Sequence, residues 1–253
     1  MKLTFLGTGT SMGVPVAGGF GEERMSRDPR NIRSRCSAWV KTKNASILID
    51  AGPEFRIQSI RAKIKHIDHV LITHEHMDHV SGLDDLRAYN YVQKNSIPVH
   101  TSKQCIQSIE KRFDYMFGEN KYQGSTSLDL IEIKGKKTLG DIEVTPLPCS
   151  HGGLQILGFR LNDLCYLTDV KEIPNSTKEL MKGAKVVVLS GLRWEPEHPT
   201  HLTIPESVDL INSLGIPAGY LIHMNSYVNH KESNDRLPAH IRLAYDQQVI
   251  EIL

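Results

Sequence analysis

Four side chains that could bind metal ions lie within six residues in the first third of the chain: His74, His76, Asp78 and His79. Neutral imidazole and carboxylate are suitable ligands for zinc, manganese, iron or nickel. The i, i+2 spacing of the first two histidines suits an extended loop, in which both rings can turn toward one point. Asp78 and His79 lie one turn further on, so the run predicts two ions about 3.5–4 Å apart.

The elements around this run indicate how it is positioned. Residues 70–73 are a short apolar run typical of a buried strand, and the histidines follow it directly. Further strands are predicted at 2–6, 37–41, 46–50, 97–100, 128–133, 142–146, 156–161, 164–168, 186–189 and 220–222. Helices are predicted at 54–65, 83–93, 103–113, 176–182 and 205–214. This alternation predicts an α/β layered fold, and residues 1–253 fit a single domain.

Composition limits the setting and the partners of the protein. A net charge of +1 gives no overall field that would attract nucleic acid or a membrane surface. The four cysteines are scattered without a CxxC pair, which argues against a disulfide framework and a cysteine-rich zinc site. We therefore expect a reduced, cytoplasmic protein with no membrane span. A homodimer is the default expectation for its assembly.

The run His74-Glu75-His76-Met77-Asp78-His79 resembles the HxHxDH signature of the metallo-β-lactamase superfamily. Other motifs resemble that superfamily in the expected order, and they are Leu48–Gly52, Ser150–Gly152, Tyr166–Asp169 and Tyr220–Met224. The resemblance implies a four-layer αβ/βα sandwich with a dinuclear centre. It assigns one ion to His74, His76 and His151. It assigns the other ion to Asp78, His79 and His223, with Asp169 bridging the two.

Each distant ligand also has a plainer interpretation taken alone. His151 precedes two glycines and could be a turn histidine. Asp169 could cap a following helix, and His223 could be a buried histidine satisfied by its neighbours. Their arrival in the family's order favours the metal-binding interpretation of all three.

Several segments are similar to the PhnP-like phosphodiesterases of the superfamily, among them 6–15, 28–35, 198–203 and 237–246. This resemblance implies a phosphodiesterase that acts on cyclic phosphates or small phosphodiesters through a metal-bound hydroxide. The two divalent ions would be zinc or manganese, with nickel or iron as alternatives. Asp78 would orient the hydroxide. His201 would protonate the leaving group, with His198 as the reserve candidate.

Some residues depart from that pattern or allow two interpretations. Such relatives often carry a cysteine cluster after the GxP turn, but residues 17–21 contain no cysteine, so we expect no structural zinc. The arginines of the Arg24–Arg35 segment could grip phosphate, although a solvated loop is favoured for any single one. Cys149 lies two residues before His151 and could approach the metals, although a buried core role is the default.

Three other functions compete with the phosphodiesterase. One is a tRNA 3′-end endonuclease of the same superfamily, which would usually carry a protruding arm and a basic surface. Another is a lactone or thioester hydrolase, and the third is a non-catalytic metal-binding protein. The chain contains every ligand of the motif and no insertion suited to such an arm. A small-molecule phosphodiester is therefore the favoured substrate, and nucleic acid the less favoured one.

Overall fold

The computed structural model describes residues 1–21 and 27–252, and within them fourteen strands form two seven-stranded sheets. The first sheet has the order β14-β1-β2-β3-β4-β5-β6. Its strands are β1 (Lys2–Gly7), β2 (Ser37–Lys41), β3 (Ser46–Ile49), β4 (His69–Leu71), β5 (Ile97–Thr101), β6 (Leu128–Glu132) and β14 (Val249–Glu251). The second sheet has the order β13-β12-β11-β10-β9-β8-β7. Its strands are β7 (Lys137–Leu139), β8 (Ile142–His151), β9 (Leu154–Leu161), β10 (Leu164–Leu167), β11 (Val186–Ser190), β12 (Ala218–Ile222) and β13 (Ile241–Leu243).

Each sheet has an antiparallel half and a parallel half. In the first sheet β14, β1, β2 and β3 pair antiparallel, while β3 to β6 run parallel. In the second sheet β7 to β10 pair antiparallel and β10 to β13 run parallel. The carboxyl ends of parallel strands meet at one edge of a sheet, and such edges are where side chains of an α/β site gather.

Three apolar clusters show that the sheets and helices form four layers. One cluster, which includes Phe5, Ile47 and Phe159, lies between the two sheets. The outer face of the first sheet packs against α1 (Phe55–Arg61), α2 (Met77–Val80), α3 (Arg87–Gln93) and α4 (Lys103–Arg112). The outer face of the second packs against α5 (Asn175–Met181), α6 (Ile204–Leu214) and α7 (His230–Arg236). The predicted four-layer αβ/βα sandwich is confirmed. None of the described helices is long and apolar enough to cross a membrane.

Several predicted elements differ from the observed ones. The predictions missed β7, β13 and β14, which are three residues each and therefore too short to show a clear periodic pattern. The strand predicted at 142–146 continues to His151, because all its residues from Val144 pair with β9. The first helix ends at Arg61 rather than near residue 65, since Lys63 adopts a left-handed φ of 55°. No helix was predicted after residue 214, but α7 follows β12 and is capped by the side chain of Asn229.

Candidate metal centre

The structure brings the seven predicted metal ligands together at the strand ends. The ligand atoms of His74, His76 and His151 all lie within 4.8 Å of one another. A second group with the same spacing contains Asp78, Asp169 and His223. Asp169 forms a further group with His74 and His79, so its carboxylate lies between the two sets. The first two groups match the predicted division. His79, predicted to share an ion with Asp78 and His223, instead groups with His74, and His201 forms another group with His151 and Asp169. The binding of ions by all these residues stays a prediction.

The atoms that converge here are crowded and poorly satisfied by one another. His79 Nε2 lies 3.2 Å from an Asp78 carboxylate oxygen and 3.3 Å from one of Asp169. His223 Nε2 lies 2.8 Å from Asp169, and His74 Nε2 lies 3.0 Å from a ring nitrogen of His76. Nevertheless the Nε2 atoms of His79 and His223 are buried and make no directed hydrogen bond. Buried nitrogens without partners are costly in a dry site, so this donor set fits divalent metal ions.

A buried carboxylate, Asp50, sets the orientation of two of these histidines. It accepts hydrogen bonds from His79 Nδ1 at 2.7 Å and from the Thr73 hydroxyl at 2.9 Å. The Thr73 hydroxyl has only one proton, so its oxygen must accept from His74 Nδ1, which lies 3.0 Å away. Both histidines therefore direct Nε2 toward the other ligands. His151 is oriented in the same way, because its Nδ1 donates to the carbonyl of Thr200 at 2.9 Å.

The charges of the site are coupled. Burial alone would lower the pKa of His79, but the carboxylates of Asp50 and Asp169 raise it well above its usual range. Burial alone would raise the pKa of Asp169, yet His223 and His79 hold it well below its usual range. Asp78 is partly buried, which alone would raise its pKa, but the His79 ring 3.2 Å away lowers that pKa to about 2. The carboxylates of Asp78 and Asp169 are therefore ionised, which is the form that binds metal.

Three residues of the site adopt left-handed backbone conformations. Asp50, Asp169 and His223 have φ values of 59°, 57° and 60°, and each follows the end of a strand. Residues other than glycine rarely adopt this region, at a cost of about 1–3 kcal/mol each. The surrounding fold must overdetermine these turns, which direct the side chains into the centre as the strands end.

His201 lies beside the centre. Its ring centroid is 4.6 Å from that of His151 and 4.5 Å from that of His223, and its Nδ1 is 3.9 Å from Asp169. Burial and His223 lower the pKa of His201 to about 3, so its imidazole is neutral at pH 7. His198, the reserve candidate, lies one ring further out, 5.1 Å from His201. Both histidines line a cavity of about 360 Å³ that opens beside His223.

Three arginines of the arginine-rich segment make other contacts, while Arg27 is exposed. Arg30 is paired with Asp28 at 2.7 Å, and Arg35 is paired with Glu54. Arg33 is buried and donates to Asn31 and to backbone carbonyls. Arg24 lies outside the described residues. These contacts favour a structural role for Arg30, Arg33 and Arg35 over phosphate binding.

Two further sequence interpretations can be placed. The Cys149 thiol is buried and donates to the carbonyl of Leu147, which agrees with the default core role. His69 and His100 have no ligand-type neighbours in the sequence, but their ring nitrogens are 3.3 Å apart. Strands β4 and β5 are adjacent, and this pairing brings the two rings together.

Sequence reasoning missed the residues that orient the ligands. In the sequence Asp50 stands out only as part of the Leu48–Gly52 motif, and Thr73 only as the end of a predicted strand. A carboxylate directly after a buried strand was the available signal for Asp50. No sequence signal identifies Thr200, whose backbone carbonyl rather than its side chain holds His151.

Comparisons with known proteins agree with this geometry. The sequence profile of the beta-lactamase superfamily domain matches residues 45–224. The crystal structure of a diphosphatase from the PhnP family superposes with a TM-score of 0.91 at 33% identity, covering 100% of this chain and 98% of that one. An octanoyltransferase of Porphyromonas gingivalis is 38% identical over 250 residues, which cover 97% of this chain and 50% of that protein.

More distant relatives include nucleases. The exodeoxyribonuclease YycJ of Bacillus anthracis is 25% identical over 162 residues, which cover 60% of this chain and 57% of that protein. The chain thus spans about half the length of these curated relatives.

Proposed function

The chain belongs to the metallo-β-lactamase superfamily, and from this premise we propose that it is a metal-dependent hydrolase with a dinuclear site. Its proposed reaction is the hydrolysis of a phosphodiester bond in a small molecule, such as a cyclic phosphate. One observation carries the proposal. Ligand atoms from four separate places in the chain converge, and among them the Nε2 atoms of His79 and His223 are buried without hydrogen-bond partners.

The phosphorus chemistry is supported by the relatives. The PhnP-family protein that matches along its length is a diphosphatase, and several sequence relatives are nucleases. All of these names describe cleavage of a bond to phosphorus. The octanoyltransferase match covers only half of that protein, so its name does not bear on this choice.

Two divalent ions in this centre would supply a water that ionises near neutral pH and positive charge to offset that of the phosphoryl oxygens. The chain's own residues would then do the positioning. Asp78 is ionised and only partly buried, so it can accept a hydrogen bond from the attacking water and fix its direction. Asp50 and Thr73 keep the rings of His74 and His79 in one tautomer throughout.

His201 is the proposed proton donor to the leaving oxygen. It lines the cavity, its Nδ1 has no hydrogen-bond partner, and it lies against both predicted halves of the site. In the free protein its imidazole is neutral. An anionic substrate beside the ring favours the protonated form and therefore opposes the effect of burial.

A diphosphate bond is the second candidate target, because the protein that matches this chain at 33% identity is a diphosphatase. A diphosphate differs from a phosphodiester in its leaving group, which is a phosphate rather than an alkoxide. A phosphate leaves without being protonated, whereas an alkoxide must be protonated as it leaves. The need for a proton from His201 therefore distinguishes the two candidates.

The experiment is a substrate panel on protein of known metal content. It contains bis(p-nitrophenyl) phosphate, ribose cyclic phosphate, ADP-ribose as the diphosphate and p-nitrophenyl acetate as the carbon ester. Turnover of the first two supports the phosphodiesterase. Turnover of ADP-ribose alone selects the second candidate, and turnover of p-nitrophenyl acetate alone refutes both.

The same panel tests His201. His201→Ala should lower kcat on ribose cyclic phosphate by roughly 10²–10⁴-fold, as expected for loss of a general acid. The loss on bis(p-nitrophenyl) phosphate should be much smaller, because nitrophenolate leaves unprotonated. An equal loss on both substrates would contradict the acid role. His198→Ala is the matched control, and a leaving-group dependence there would transfer the role to His198.

A further inference from the structure

The lining of the cavity beside the metal centre combines histidines with exposed apolar side chains. The cavity is lined on one side by His201 and His223 and on the other by large apolar residues that remain exposed to solvent. Met12, Phe20 and Tyr227 are 56%, 62% and 53% exposed. Exposed apolar side chains gathered at a cavity of about 360 Å³ are typical of a ligand site.

The loops that carry these residues are held in place. Gly21 has a φ of +84°, and a Cβ there would lie 2.8 Å from the Ser226 hydroxyl. The loop that carries Met12 and Phe20 therefore contacts the loop that carries Tyr227 closely. The buried guanidinium of Arg33 donates to the carbonyls of Asn225 and Val228 at 3.3 and 2.8 Å. The Arg33 backbone also pairs with that of Val14, in the loop that carries Met12 and Phe20. The fold therefore holds the residues that line the cavity in place.

We propose that this cavity, which we call the aromatic pocket, binds a nucleobase attached to the phosphate that the metal centre cleaves. The inference rests on the proposed function and narrows its substrate class to nucleotides. Phe20 and Tyr227 offer flat apolar faces, on which a planar base can stack. A sugar phosphate without a base would leave these faces exposed to water, and the pocket would add nothing to its binding.

Polar groups among the aromatic residues favour a heteroaromatic ring over a plain hydrocarbon. Thr10 and Ser226 place hydroxyl groups in the lining. Asn225 accepts a hydrogen bond from the backbone of Tyr227 through Oδ1. Its Nδ2 has no partner among the residues that the structure describes, so that amide can donate to a ring nitrogen or a carbonyl. Arg193 also lines the pocket and adds positive charge for a phosphate.

The test compares two probes that share a phosphate and a sugar and differ only in the base, namely AMP and ribose 5-phosphate. Binding of each to the metal-containing protein is measured by calorimetry. Wild type should bind AMP at least tenfold more tightly than ribose 5-phosphate. Phe20→Ala and Tyr227→Ala should each weaken AMP binding by about 5-fold or more and leave ribose 5-phosphate unchanged, as expected for the loss of one base–aromatic stack.

Two variants sharpen the outcome. Phe20→Tyr keeps a ring at the position and should restore AMP binding. Tyr91→Ala removes an aromatic residue that is 75% exposed on α3, outside the pocket, and should leave both affinities unchanged. Equal wild-type affinity for the two probes would overturn the proposal, as would an equal loss of both in Phe20→Ala. Turnover of bis(p-nitrophenyl) phosphate is scored separately, so a failure of the hydrolase proposal is distinguishable from a failure of the pocket.

Discussion

Replacement of Asp50 by asparagine tests whether the buried carboxylate sets the ligand tautomers. Asp50 is fully buried and accepts three hydrogen bonds: from the Thr73 N–H at 2.8 Å, the Thr73 hydroxyl at 2.9 Å and His79 Nδ1 at 2.7 Å. An asparagine can keep the bond from the Thr73 N–H through its oxygen. Its amide group would then face His79 Nδ1 as a donor, which forces the ring proton onto Nε2, the atom directed at the other ligands.

The expected loss of metal affinity follows from this change in the tautomer of His79. Loss of an orienting partner behind a metal ligand typically lowers metal affinity by about 10–100-fold, which is about 1.4–2.8 kcal/mol. The variant also replaces charge-assisted hydrogen bonds with neutral ones, which should lower the free energy of unfolding by about 1.5–3 kcal/mol. Metal affinity is measured by competition with a chromogenic chelator. The free energy of unfolding of the metal-free protein is measured by urea denaturation.

A matched carboxylate–histidine pair provides the control. Asp68 lies 2.8 Å from His66 Nε2 and accepts from the Ser46 N–H at 2.8 Å, but this pair is exposed and away from the site. Asp68→Asn should leave metal affinity unchanged and cost at most about 1 kcal/mol of stability. Metal affinity in Asp50→Asn within twofold of wild type would refute the tautomer argument. So would an equal loss of affinity in Asp68→Asn.

Two further predictions test the scaffold of the site. Gly52→Ala should lower the free energy of unfolding by about 1–3 kcal/mol and displace the loop 74–79, because the added Cβ would lie 2.1 Å from the Asp78 carbonyl oxygen. In the control Gly135→Ala the added Cβ meets nothing within 4 Å, so neither the urea midpoint nor the metal content should change. Arg33→Met should lower the free energy of unfolding, measured by urea denaturation, by about 2–5 kcal/mol, because it leaves buried acceptors unsatisfied. Arg27 is exposed, so Arg27→Met should leave the free energy of unfolding unchanged. A Gly52→Ala or Arg33→Met protein as stable as its control would contradict the packing described.

The sequence predicted the layers of the fold and the positions of the ligands because both follow from local patterns. His74 and His76 come directly after a short apolar run that is observed as β4, and such a run is typical of a buried strand. The distant ligands His151, Asp169 and His223 depended on the resemblance to a known family. Each of them had an ordinary local alternative.

The orienting network was beyond the sequence because it depends on pairing between strands. Ile49 pairs with Leu71 in the parallel β3–β4 register, and this places Asp50 beside Thr73. A shift of one residue in that register would direct Asp50 to the opposite face. Strand β14 was missed for a related reason, because it pairs with β1 across almost the whole chain and its three residues have no strong pattern.

The number of metal ions bound per chain tests the central claim most directly. Protein purified without chelator and analysed by elemental mass spectrometry should carry about two divalent ions, as expected for a site of paired ions. His76→Ala and His223→Ala, which remove ligands from the two predicted halves, should each bind about one fewer ion. A wild-type protein with no bound ion, or with one ion that both variants lose together, would contradict the dinuclear centre.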